Sequence, residues 1–325
     1  SRGEWSGGAM YYLKDGLGSY KGCKQIGAVL AVLFSAFCLL ASFGIGNMSQ
    51  VNSIAANMTS AFSIPATVTG IVLVIIGALV IVGGLKRIAA VTEKLVPFMA
   101  IAYVIGALVI FFANIGHVGA VFTAIFKGAF GLRAVGGGIV GSGVKLALTW
   151  GMKRGVFSNE AGLGSTPHAH ALAKVKQPQD QGALAIIGVF VDTFVILTLT
   201  ALVLITSGLI PEGMTGTALT QAAFSLTFGS FGKVFIAICM LFFAFSTILG
   251  WYFFGQVNFN ALFGSKYTKV YSLIVVLFIL IGSSLKVDLV WALADFFNGL
   301  MAVPNLLALL ALSGVVAGIA RNKKD

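Results

Sequence analysis

Charge is what this sequence has least of. Only 10% of its 325 residues are Asp, Glu, Lys or Arg, 58% are hydrophobic, and mean hydropathy is +1.00. A soluble domain carries roughly a quarter charged residues, so a water-facing globule is excluded. Cysteine is nearly absent, and Cys23, Cys38 and Cys239 have neither paired nor metal-type spacing. That excludes a disulfide scaffold and a thiolate metal site; Cys38 and Cys239 fall in apolar runs, where packing is the expected role. Histidine is scarce as well. His168 and His170 stand two apart, so on a helix they point away from each other, and with Glu160 they match no zinc spacing. No nucleophile–base constellation is visible, so no enzyme, no cofactor and no metal beyond a transported ion is expected. The net charge of +11 is better explained by basic cytoplasmic loops than by nucleic acid.

What is present is a succession of apolar runs about as long as a bilayer is thick, roughly 20 residues each as helix. They place spans near 26–48, 65–85, 95–114, 137–171, 182–209, 232–262, 267–285 and 289–320. The chain is expected to be an all-α polytopic membrane protein with the lipid bilayer as its main partner; its oligomeric state is open. Residues 1–25 are polar, glycine-rich and aromatic, an interfacial cytoplasmic segment, and 321–325 form a cytoplasmic tail. The last span contains Pro304, which removes a backbone donor and kinks a helix. Basic residues crowd alternate loops: Lys14, Lys21 and Lys24, then Lys86, Arg87 and Lys94, then Lys174 and Lys176, Lys266 and Lys269, and finally Arg321, Lys323 and Lys324. The positive-inside rule puts both ends of this chain in the cytoplasm. The stretches 115–136 and 210–231 are then external, each long enough for a short surface helix.

Polar groups interrupt the spans at four places, where they must face protein or water. In "GIGNMSQVNS", Asn47 and Gln50 share a helix face; an amide bond between packed helices and a ligand role both fit. In "GMKRGVFSNEAGLGSTP", glycines at 151, 155, 162 and 164 and Pro167 predict a helix that unwinds part way. Glycine costs about 1 kcal/mol per helix position relative to alanine, and proline about 3. Unwound backbone at membrane depth is tolerated where it lines a cavity or is buried in protein. Its freed carbonyls can hold a cation and a half-helix N-terminus a carboxylate. Arg154 and Glu160 in this stretch could neutralise each other. In "FAFSTILGWYFFGQ", the adjacent hydroxyls Ser246 and Thr247 stand one turn before Trp251. Such hydroxyls usually bond their own helix, but side by side they suit a cation. Last come two lone acids, Asp192 and Asp295, coupling groups or structural ones; Asn298 shares a face with Asp295.

The runs "RGVFSNEAGLGSTPHAHA", "SFGIGNMSQVNSIA", "GVFVDTFVILTLTALVLITSG", "FAFSTILGWYFFGQ" and "ADFFNGLMAVPNLLALLALSGVV" resemble the alanine or glycine:cation (sodium) symporter family over nearly the whole chain. The resemblance implies the leucine-transporter-type inverted-repeat fold, ten core helices with the first and sixth broken. The chain begins close to the family's "GG-MYY" segment, so the resemblance implies an N-terminally truncated pattern holding core helices three to ten. The family's first broken helix, which supplies much of its site, has no counterpart in these residues.

On that pattern 137–171 becomes the broken sixth core helix, with Asn159, Glu160, Gly162, Gly164 and Ser165 in its unwound, gating part. The resemblance implies a substrate pocket of Gln50, Gly155, Phe157, Ser158 and Trp251, and a sodium site at Ser246 and Thr247. Asn47, Arg154, Asp192 and Asp295 remain coupling or structural candidates. The implied function is sodium-coupled symport of a small neutral amino acid, alanine or glycine, across a prokaryotic cytoplasmic membrane. An inactive fragment of such a symporter and an ion channel are the alternatives; nucleic acid is not an expected partner.

Overall fold

The computed structural model describes residues 7–130, 138–210, 213–214, 216–285 and 287–321. Every regular element among them is helical. An N-terminal strap of three short helical turns, Ala9–Tyr11, Tyr12–Gly16 and Leu17–Ser19, precedes the numbered helices. These are α1 (Lys24–Phe62), α2 (Ala66–Val82), α3 (Gly84–Ala113), α4 (Ile115–Phe130), α5 (Gly138–Asn159), α6 (Pro167–His170) and α7 (Pro178–Thr206). After them come α8 (Gly216–Phe228), α9 (Ser230–Phe263), α10 (Thr268–Ser284), α11 (Val287–Ala311) and α12 (Ser313–Arg321). Six helices among the described residues are long and apolar enough to cross a membrane, and Ala66–Ile81 and Ile115–Gly128 are shorter apolar helices. The protein is a multi-pass helical membrane protein.

Helix α9 is the axis of the fold, packing against α1, α3, α8 and α10, while α11 lies along the first half of α1. Val51 and Ile54 of α1 meet Ile248, Leu249 and Tyr252 of α9 and Tyr271, Val275 and Ile279 of α10 in one buried cluster. A second cluster joins the strap (Ala9, Met10, Leu13, Leu17) to Phe34, Cys38 and Ala41 of α1, Trp251 and Phe254 of α9 and Ala294, Met301 and Ala308 of α11. The outward faces are apolar too, from Phe98 to Ile186 and Leu310, as a surface solvated by lipid tails requires. With no hydrophobic drive between helices in lipid, close approach depends on small residues. A Cβ at Gly46 would collide with the Trp251 side chain, so that glycine sets how near α9 comes to α1.

Two features differ in detail from the sequence pattern. The final span runs through Pro304 as helix and turns only at Leu312, so the discontinuity falls two turns beyond the proline. The stretch after Asn114, long enough in sequence for a short surface helix, holds sixteen residues of apolar helix, α4. Its last part toward α5, residues 131–137, lies outside the described residues.

Candidate functional site

Helix α5 ends at Asn159 and α6 begins at Pro167; between them the chain turns through residues with left-handed backbone. Glu160 has φ 54°, Gly162 φ 83° and Gly164 φ 89°. Glycine enters that region freely, but a residue with a Cβ is uncommon there and needs fixing by its surroundings. The fixing is visible. The Asn159 side-chain oxygen accepts from the Ala161 amide at 2.9 Å, an Asx-type turn that ends the helix. The Glu160 carboxylate then accepts from the Ser165 hydroxyl at 2.6 Å and from the Trp251 indole N–H at 2.8 Å. One carboxylate therefore closes its own loop and ties it to α9.

Two turns further along α9 a second tie is made. His168, fully buried, places Nδ1 2.7 Å from the Ser165 carbonyl, so that nitrogen carries the proton and donates. Nε2 is then the acceptor for the Asn258 amide at 2.8 Å. Both ring nitrogens are thus taken by protein groups. Phe34 stacks at 6.2 Å and Phe254 at 5.5 Å between ring centroids. Trp251 and Asn258 lie seven residues apart on one face of α9, about 10 Å along its axis, and the break is fastened at both points.

A third tie comes from α11. Asn305, 1% exposed, donates Nδ2 to the Gly162 carbonyl at 2.9 Å, and its Oδ1 accepts from the Tyr12 hydroxyl of the strap. Burial holds the Tyr12 phenol above its usual titration range, so it stays a donor. A Cβ on Gly164 would lie 2.7 Å from Phe34 and 2.8 Å from Asn305, so only glycine fits between α1 and α11.

The other sequence candidates divide into separate groups. Gly44–Met48 of α1 is a π-turn whose wider ring leaves carbonyls for side chains. The Asn47 amide donates to the Ser42 carbonyl and the Gln50 amide to the Ile45 carbonyl at 3.0 Å. The shared face of Asn47 and Gln50 thus serves the turn itself, and Asn47 Oδ1 is buried without a partner among the described residues. Trp251 packs on Gly46 of this turn, so the π-turn, the break and α9 meet at one indole.

Ser246 and Thr247 both donate to the Phe243 carbonyl, at 2.8 and 3.0 Å. Arg154 does not pair with Glu160; it forms a two-pronged ion pair with Asp295, Nη1 at 3.0 Å and Nη2 at 3.2 Å, with Lys153 at 3.9 Å from the same carboxylate. Its guanidinium lies 4.5 Å above the Trp291 ring and 5.7 Å from Phe157, which packs on Trp291. Ser158 faces α7, donating to Asp192 at 2.8 Å beside the bond from Asn159 to Thr193 at 3.1 Å. Asp192 lies in another π-turn, Val191–Leu197. A Cβ at Gly155 would meet nothing within 4 Å.

The structure thus gathers Trp251, Glu160, Ser165, Gly162 and Gly164 around the break, places Phe157, Arg154 and Asp295 toward α11, and turns Ser158 toward α7. Sequence reasoning missed Tyr12, Asn258 and Asn305, and weighed His168 only as a metal ligand. A buried amide directly after Pro304 was the available signal for Asn305.

A helical membrane bundle with a helix broken beneath a buried tryptophan has the form of a transporter. Comparison with known proteins names the family: the sodium:alanine symporter model matches residues 1–324, and the chain belongs to that family. This is a family of sodium-coupled amino-acid transporters, not of enzymes, and Na+ is its coupling ion. Among similar proteins is the sodium/alanine symporter AgcS of Methanococcus maripaludis, 44% identical over 97% of this chain and 68% of its own length. The amino-acid carrier protein AlsT of Bacillus subtilis is 38% identical over 96% of this chain and 64% of its own. The probable sodium/glutamine symporter GlnT of the same organism is 39% identical over 95% and 63%. The chain spans about two thirds of the length of these relatives.

Proposed function

We propose that the protein carries a small neutral amino acid, alanine or glycine, into the cell together with Na+, in the leucine-transporter manner. The observation that carries this reading is the indole of Trp251, held by Glu160 and seated on Gly46. Trp251 stands twelve residues before the end of α9 at Phe263, about 18 Å along the axis, near the middle of a hydrocarbon layer about 30 Å thick. An indole pinned on both sides there would form one wall of a small pocket, suited to a methyl group or a hydrogen. We assign the rest of the pocket wall to Gln50, just past the π-turn, and to Gly155, Phe157 and Ser158 of α5; in this structure Ser158 faces α7 and Phe157 packs on Trp291, so their substrate contacts belong to another state of the carrier. The unwound segment from Asn159 to Ser165 supplies amide and carbonyl groups for the substrate's charged ends.

Ser246 and Thr247 give their protons to the Phe243 carbonyl, so both present oxygen lone pairs outward, as a hard cation requires. We assign them the sodium site. Chain ends in the cytoplasm, residence in the cytoplasmic membrane and helices corresponding to core positions three to ten belong to the same reading. The AgcS name favours alanine and the GlnT name a larger amide, so the tryptophan's position, not kinship, supports the smaller substrate. A relative named as a sodium/proton-dependent alanine carrier keeps proton coupling as the competing outcome.

The test is uptake of labelled alanine, glycine and glutamine into proteoliposomes under imposed Na+ or H+ gradients, with membrane current recorded in parallel. Sodium-driven accumulation of alanine or glycine over glutamine is expected. Current far above coupled flux, or accumulation driven by H+ alone, would overturn the assignment.

A further inference from the structure

We propose that Asn305 and Tyr12 are positioning residues for transport, forming a latch by which the N-terminal strap holds the helix break closed on the strap's side of the membrane. The inference rests on the transport reading above. It starts from how the strap is seated. Ala9 and Leu13 are fully buried and Met10 and Leu17 nearly so, and all four join the cluster that contains Leu163 of the break. Gly7 lies so close to Ala171 that a Cβ there would collide with it, and a Cβ at Gly8 would come within 2.5 Å of His168 Nε2. A Cβ at Gly16 would come within 3.2 Å of Leu312, and Tyr20 donates to the Ala311 carbonyl at 3.4 Å. The strap therefore lies across the break and α11 together.

Tyr12 of the strap reaches into the break through the Asn305 amide. Asn305 uses both ends: Nδ2 holds the Gly162 carbonyl, a group the unwound backbone leaves free, and Oδ1 receives Tyr12. A buried amide satisfied at both ends is fixed in orientation; losing one partner releases the other. The strap's apolar seat does not depend on the Tyr12 hydroxyl. Removing that hydroxyl therefore frees Asn305 and the Gly162 carbonyl while the strap stays docked. Opening the break toward this side requires Gly162 to leave Asn305, so the latch sets how readily the occupied site empties.

The experiment places a reporter thiol at the break, Leu163→Cys, in a Cys23→Ser background, because Cys23 is only partly buried while Cys38 and Cys239 are buried. Labelling by a small thiol reagent in proteoliposomes is compared with and without Tyr12→Phe, which keeps the ring and loses the donor. One hydrogen bond of this kind predicts labelling about fivefold to tenfold faster. Asn305→Asp, which keeps the acceptor and loses the bond to Gly162, should give the same increase, and the double variant no more than either alone. In flux, net uptake should fall several-fold more than amino-acid exchange, because bound substrate helps the occupied carrier reclose while the empty carrier relies on the latch. A merely structural role would lower both fluxes together. Unchanged labelling in Tyr12→Phe and Asn305→Asp, or additive effects in the double variant, would overturn the latch. Labelling reads the latch whether or not alanine is carried, so its failure is distinguishable from failure of the transport reading.

Discussion

The Trp251 indole donates to the Glu160 carboxylate at 2.8 Å across a chain separation of ninety-one residues, and Ser165 supplies the second donor to the same carboxylate. A single acid thus fixes two parts at once, the Trp251 indole and the unwound backbone. It does so with neutral donors only, while the one bidentate ion pair among the described residues is spent on Arg154 and Asp295.

Glu160→Gln tests that arrangement. The amide accepts through one oxygen and turns an N–H2 toward the other donor, so one bond is lost and the neighbouring donor stranded. Hydrogen bonds to charged groups contribute about 1.5–3 kcal/mol. Uptake should fall by at least tenfold, with a lower Tm for the purified protein. Trp251→Phe, which lacks the N–H, should approach the same uptake. Wild-type flux in both variants would show that the bond does not shape the pocket.

Gly46→Ala tests the seat of the indole. A methyl there overlaps the Trp251 side chain, and overpacking of this kind costs about 1–3 kcal/mol. The indole must shift into the pocket, so KM for alanine should rise more than KM for glycine. An equal change in both would place the pocket elsewhere.

Thr247→Ala removes one of the paired hydroxyls together with a methyl group. The Na+ concentration for half-maximal uptake should rise several-fold, with smaller change in maximal rate, and Ser246→Ala should act in the same direction. If Thr247→Ala left sodium dependence unchanged, the cation assignment would be wrong.

Arg154→Lys tests the α5–α11 pair. Lysine keeps the charge but loses the two-pronged contact and the stacking over Trp291, so it should not restore function. Arg154→Ala and Asp295→Asn should each reduce uptake, and the exchanged pair Arg154→Asp/Asp295→Arg should recover part of it. No recovery would mean that the two groups act separately.

Much of this protein was legible in its residues because a membrane leaves few choices. Helices such as α3 and α9 are readable as apolar runs of the right length, since backbone polar groups in hydrocarbon must be satisfied within the segment. The break was readable for the complementary reason: glycines 162 and 164 and Pro167 oppose helix where hydrocarbon demands one. The local family signature "SNEAGLGS" lies in the same stretch, so sequence pointed to it twice. Arg154 was harder. Its charge required a partner, and Glu160, six residues away, was the nearer candidate in sequence; Asp295 became the partner because α11 lies beside α5.

What the sequence alone determined, then, is where helices form, where one must stop and which polar groups need company, because these follow from local propensity and the cost of burial. Which company they keep was decided only by the tertiary structure. Glu160 meets Trp251, His168 meets Asn258 and Gly162 meets Asn305 because small residues let α1, α9 and α11 approach closely. No periodicity encodes a contact between residues about a hundred positions apart. The strap shows the limit most plainly: Tyr12 reads as an interfacial aromatic, yet folding carries it to an amide 293 residues away.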